Sequence, residues 1–123
     1  METPVLNSRI LIILGTLVVL GGLYTLLRPD ESAAPAQTRT IQLDIRSDVM
    51  TPDRVEVARN DVLTFNVTSD EALELHLHGY DQSVEVEPGV AAVLRVEATL
   101  SGSFEFENEE AQTALGTLTV RPR

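Results

Sequence analysis

From Arg39 to the end of the chain, apolar residues recur at every second position. Ile41, Leu43 and Ile45 alternate with Gln42, Asp44 and Arg46. Leu63, Phe65 and Val67 alternate with Thr64, Asn66 and Thr68, and Leu73, Leu75 and Leu77 with Glu74, His76 and His78. Successive side chains of a strand point to opposite faces, so each run carries one apolar and one polar face. Turn residues separate the runs: Thr51-Pro52-Asp53, Asn60-Asp61, Gly79, Pro88-Gly89 and Ser101-Gly102. About eight short strands at this spacing predict an all-β fold, an antiparallel Greek-key β-sandwich over residues 39–123. No window after residue 38 has a helical period, although Asn108 to Thr113 leaves room for one helical turn or an irregular loop.

A different pattern precedes the sandwich. Ile10 to Leu27 contains no charged residue and no polar stripe. Such a run, at about 1.5 Å per residue, approaches the thickness of bilayer hydrocarbon, so it predicts a single transmembrane helix. A cleaved signal peptide has a shorter apolar region followed closely by small residues. Here the only candidate cut, Ala34-Pro35-Ala36, lies beyond Arg28, Asp30 and Glu31. The expected organisation is therefore a short cytoplasmic tail (1–9), an uncleaved signal anchor in the bilayer (10–27), a flexible linker (28–38) and the domain (39–123). Arg9 and Arg28 nearly balance the positive-inside count. The short N-terminal tail and the acidic domain place the domain outside the cytoplasmic (inner) membrane, facing the periplasm or cell exterior.

Composition narrows the chemistry. The 123 residues suffice for one domain and contain no cysteine, which removes disulfides, thiolate ligands and cysteine nucleophiles together. The formal net charge is -10, and outside residues 1–27 the balance is 18 acids against 8 bases, again -10. A domain this acidic repels nucleic acid and anionic headgroups, so no nucleic-acid partner is expected. Ser69 and Ser83 sit in no nucleophile motif, and no enzymatic activity is expected.

The chain's only two histidines, His76 and His78, share one strand face two residues apart, about 6–7 Å at Cα. Two readings stand. They are ordinary surface residues, or they hold Cu(II) or Zn(II). Glu74 on the same face, Asp81 from the turn and Met50 are the further candidate ligands. A site shared between two protomers is a third arrangement. Glu105, Glu107, Glu109 and Glu110 read as a solvated acidic rim, because no glycine-punctuated calcium loop accompanies them. Tyr80 reads equally as an exposed contact residue or a strand-end anchor.

The order of segments resembles the cupredoxin family, in particular small bacterial cupredoxin-like domains, over about residues 40–122. The matching pieces are Met50-Thr51-Pro52 before Arg54-Val55-Glu56-Val57, then Asn60-Asp61-Val62-Leu63-Thr64-Phe65. Glu87-Pro88-Gly89, Ser101-Gly102-Ser103-Phe104 and Leu115-Gly116-Thr117-Leu118-Thr119-Val120 follow. The resemblance implies a sandwich with one ligand histidine after the Asn-rich turn. It also implies a cysteine, a histidine and usually a methionine in the loop before the last strand. Counted back from Gly116, these positions fall near Asn108, Ala111 and Ala114, none of which can serve. A blue-copper centre needs a thiolate and two imidazoles, so the fold is expected without its electron-transfer site. The resulting expectation is a non-enzymatic binding or accessory module with an unknown protein partner. The alternative is a copper-handling protein using His76 and His78.

Overall fold

The computed structural model describes residues 7–28 and 34–123. The chain divides into two units, Met1–Ser32 and Ala33–Arg123. Residues 1–6 of the expected tail and 29–33 of the expected linker lie outside the described residues.

The first unit holds one helix, α1 (Ser8–Leu27), two residues longer at its start than the charge-free run. Its mean hydropathy is 2.5 and none of its residues is buried against protein. Twenty residues at about 1.5 Å each reach about 30 Å, the hydrocarbon thickness of a bilayer. Its two threonine hydroxyls are satisfied within the helix: Thr16 Oγ1 donates to Ile12 O and Thr25 Oγ1 to Gly22 O, both at 2.8 Å. That arrangement suits a medium without water. The Arg28 guanidinium lies 5.4 Å over the Tyr24 ring, an aromatic–cation pair at the end of the apolar run.

The second unit is a two-sheet sandwich of nine strands: β1 (Thr38–Arg46), β2 (Val49–Thr51), β3 (Arg54–Ala58), β4 (Val62–Ser69), β5 (Leu73–Leu77), β6 (Gln82–Val86), β7 (Ala92–Glu97), β8 (Gly102–Asn108) and β9 (Thr113–Arg121). One sheet has the order β2-β1-β4-β7, the other β3-β9-β8-β5-β6. The three-residue β2 is the strand that periodicity could not isolate, being too short to alternate. Residues 109–112 form a turn rather than a helical element.

The all-β sandwich stands as expected, but its pairing is mixed rather than purely antiparallel. β1 runs parallel to β4, and β3 parallel to β9. The chain leaves the first sheet after β2, spends β3 in the second and returns as β4, so it re-enters beside β1 in the same sense. Alternation has period two in either kind of pairing and carries no direction.

Apolar faces meet between the sheets. β4 alternates buried and open positions along its length, and β5 does so from Leu73 to Leu77. Phe65 of one sheet meets Phe106 of the other edge-on, with centroids 5.3 Å apart and planes at 82°. At one end of the sandwich Asp61, 1% exposed, accepts hydrogen bonds from the amides of Gln37 (2.9 Å) and Ala58 (3.2 Å) and pairs with Arg123. Burial pushes its carboxyl up. The two amides and the nearby guanidiniums of Arg123 and Arg39 outweigh that push and hold it below the usual carboxylate value.

Candidate metal centre

β5 carries the histidines because its three leucines face inward. Leu73, Leu75 and Leu77 are buried, which forces Glu74, His76 and the following His78 to the outer face of the sheet. Gly79 stops the strand immediately afterwards. Its φ is +83°, and a Cβ there would lie 2.4 Å from Phe104 Cδ1, so only glycine fits the bend. Tyr80 then anchors the strand end. Its hydroxyl donates to Leu100 O (2.7 Å), accepts from Leu100 N (3.2 Å), and its ring packs edge-on against Phe104 at 4.6 Å. Burial raises the Tyr80 phenol above its usual pKa. Of the two readings of Tyr80, the anchor is the one the structure has.

β8 lies antiparallel beside β5, with His76 opposite Glu107 and Leu77 opposite Phe106. Along β8, Phe106 and Asn108 are buried, so Glu105 and Glu107 point to the same outer face as the histidines. Glu109 follows in the turn, its amide bonded to Glu74 O (2.9 Å). The close contacts run diagonally rather than straight across. His76 Nδ1 lies 3.1 Å from Glu109 Oε2, and His78 Nε2 contacts Glu107 Oε2. Each histidine thus meets the carboxylate one diagonal step along β8, a separation that long side chains bridge. The imidazole centroids are 4.6 Å apart and tilted by 55°.

Four residues therefore converge. One donor atom from each of His76, His78, Glu107 and Glu109 lies within 4.8 Å of the other three. The set is half shielded: the side chains of His76 and Glu107 are 20% and 16% exposed, those of His78 and Glu109 both 48%. His76 Nδ1 is buried and has no hydrogen-bond partner, because the nearby Glu109 oxygen is poorly aligned for one. A buried ring nitrogen facing a carboxylate without a bond to it is suited to an ion between them. The hydrogen bond to Glu107 raises the pKa of His78 above its usual 6.5. Partial burial opposes this, and the charges of Glu107, Glu105 and Glu109 add to it.

The other candidate ligands fall elsewhere. Asp81 is fully exposed, with Oδ1 3.6 Å from His76 Nε2, on the opposite side of that ring from Glu109. Glu74 stands one step further along β5, opposite Glu85 of β6, and does not enter the four-donor group. Met50 is 2% exposed in the core between the sheets, close to the Gly116 backbone. Glu107 and Glu109 were expected on a solvated rim. Their i, i+2 spacing repeats that of the histidines, but only the β5–β8 register brings the two pairs together.

The blue-copper position itself does not fit copper. Asn108 is 7% exposed and committed to structure: its Nδ2 donates to Asp48 Oδ1 (3.1 Å) and its Oδ1 accepts from Ala111 N (3.3 Å). Ala111 and Ala114 offer no ligand atom. The outer-face donors, two imidazoles and two carboxylates, fit Cu(II) or Zn(II) by chemistry.

Comparisons with known proteins agree with this fold. A family model described as a cupredoxin-like domain matches residues 16–120. No curated protein matches the chain. A copper-binding protein solved in its apo form by NMR superposes with a TM-score of 0.61 at 11% identity, over 72% of this chain and 92% of its own. The metal-binding domain of the Streptococcus pneumoniae Cu(I)-exporting P-type ATPase, solved with Cu(I), gives 0.61 at 11%, over 70% and 94%. A chain of a haem-copper terminal oxidase dimer gives 0.56 at 14%, over 92% of this chain and 94% of its own. At these identities the likeness is one of fold.

Proposed function

Because the chain belongs to the cupredoxin-like domain family, we propose that it is a membrane-tethered, non-enzymatic metal-binding module. It holds copper on the outer face of its second sheet and has no type-1 centre. The ligands are His76, His78, Glu107 and Glu109. The observation that carries this reading is the convergence of their donor atoms within 4.8 Å. Neutral imidazole and carboxylate suit a borderline divalent ion, and the surrounding acids raise the local concentration of cations. In this reading α1 remains as an uncleaved anchor and the domain works outside the cytoplasmic membrane.

The test is metal binding by the full chain in detergent. One Cu(II) per chain is expected, with an electron paramagnetic resonance signal showing nitrogen coupling. Changing both His76 and His78 to Ala is expected to remove that signal. Equal Cu(II) uptake by the double variant would end the proposal.

A second reading, an accessory subunit of a larger membrane assembly, has one observation in its favour. The likeness to the terminal-oxidase chain extends over 92% of this chain, and so beyond the sandwich. Co-purification of the solubilised full chain with a membrane complex tests it. A chain that always elutes alone would count against it.

A further inference from the structure

We infer that the outer-face centre is selective for the oxidation state of its metal: it takes Cu(II), rejects Cu(I), and gives up its ion on reduction. This rests on the metal reading above and names which form of copper that site handles.

The argument starts from the sulfur. The sequence has no cysteine. Among the described residues the single thioether is Met50, packed in the core on the inner side of the second sheet, whereas the four donors stand on its outer side. Met50 cannot turn toward them without leaving the core, where it is 2% exposed and its Cε fills the space that a Cβ on Gly116 would need. Soft Cu(I) is drawn to thiolate and thioether, and the four converging donors include neither.

Charge acts in the same direction. Glu107 and Glu109 are ligands, Glu105 stands beside them on β8, and Asp81 Oδ1 lies 3.6 Å from His76 Nε2. None of the ion pairs among the described residues places an arginine on Glu105, Glu107, Glu109 or Asp81. The added positive charge of Cu(II) over Cu(I) is therefore felt by two ligand carboxylates. At about 4 Å each, even the dielectric of bulk water makes this worth roughly thirtyfold in affinity. The sheet resists rearrangement as well. The donors come from two hydrogen-bonded neighbouring strands, and the strand end after His78 is held by Gly79 and Tyr80. The two carboxylates therefore stay beside the imidazoles, and Cu(I) meets hard oxygen donors rather than a bare imidazole pair.

Release follows from the same chemistry. One electron from an external reductant of the ascorbate class turns bound Cu(II) into Cu(I). No protein bond breaks, and the ion leaves because its ligands now suit it poorly.

The experiment uses the full chain in detergent under anaerobic conditions. Cu(II) affinity is read against glycine as competitor, and Cu(I) affinity against bicinchoninate with ascorbate present. The expected result is binding of Cu(II) at least about thirtyfold tighter than Cu(I), with loss of the Cu(II) resonance and transfer of copper to bicinchoninate on adding ascorbate. The double variant Glu107→Gln, Glu109→Gln is expected to weaken both ions, and to weaken Cu(II) by about that factor more than Cu(I), so that the preference is lost. Equal affinities for the two ions, or a variant that weakens both alike, would overturn the inference while leaving the metal site standing. Failure of the full chain to bind either ion would instead overturn the metal site itself, and the inference with it.

Discussion

At the scale of single residues, the chemistry of this chain turns on which carboxylate each histidine meets. His78 contacts Glu107, and the hydrogen bond with that carboxylate raises its pKa above 6.5. The folded state therefore binds a proton at His78 more tightly than the unfolded chain does. That contribution to stability is fully present below 6.5 and is lost as the pH rises through the folded-state value. In the metal-free protein, Glu107→Gln is expected to bring the His78 titration, followed by the NMR shift of its ring protons, back toward 6.5. An unchanged titration would mean that the raised value comes from the wider acidic surface of Glu105 and Glu109 rather than from Glu107. The histidines could be found in the sequence because they are the only two and share a parity. Glu107 and Glu109 could not be singled out among 19 acids, since nothing local marks them. Their role comes from a strand pairing about 30 positions away in the chain, and long-range register is not written in local spacing. Met50 shows the reverse case. Its residue type suits copper, but an apolar side chain at an inward position goes to the core.

At the scale of elements, alternation was enough to place most strands, because a half-buried strand must bury every second residue. The limits were physical. β2 is three residues long, shorter than the pattern needs, and the parallel pairs β1–β4 and β3–β9 depend on crossovers between sheets. Among these elements, the end of β5 decides the site. Gly79 combines a left-handed φ of +83° with a close approach to Phe104, and His78 precedes it directly. Gly79→Ala forces either a strained backbone or a displaced Phe104 ring, at a cost of about 2–4 kcal/mol. For a domain of this size that lowers the melting temperature by roughly 10–25 °C. The same change is expected to weaken Cu(II) binding at temperatures where the variant is still folded, because His78 leaves its position over Glu107. A variant that melts lower but binds Cu(II) unchanged would show that the corner supports the sandwich without positioning the metal ligands.

At the scale of the whole molecule, an apolar helix and an acidic sandwich share one short chain, and the question is whether they stay joined. The sole small-residue cut candidate, Ala34-Pro35-Ala36, bears on this directly. The structure places that segment against the sandwich rather than apart from it. Arg123 donates from its guanidinium to Ala34 O, to Pro35 O (2.8 Å) and to Arg59 O (2.9 Å), and it pairs with the buried Asp61. Gln37 continues the attachment, its amide bonded to Asp61 Oδ1 and its carbonyl accepting from Val62 N at 2.9 Å. Residues 34–37 therefore belong to the folded domain. Cutting after Ala36 would remove two of the acceptors that hold the Arg123 guanidinium, which is 12% exposed in its pair with Asp61. A donor left short of partners at that depth costs about 1–3 kcal/mol. Proteases favour backbone that is both exposed and unbonded, and this segment, though exposed, is bonded to the sandwich through Ala34 O, Pro35 O and Gln37. The chain recovered from membranes is thus expected to carry α1. Its intact mass should include residues 8–27, and washing the membranes with alkaline carbonate should not release it, since a span of about 30 Å is held by hydrophobic burial rather than by charge. A soluble product beginning at Gln37 as the main species would show that the helix serves as a cleaved leader, and that Arg123 reaches its remaining partners without the tether.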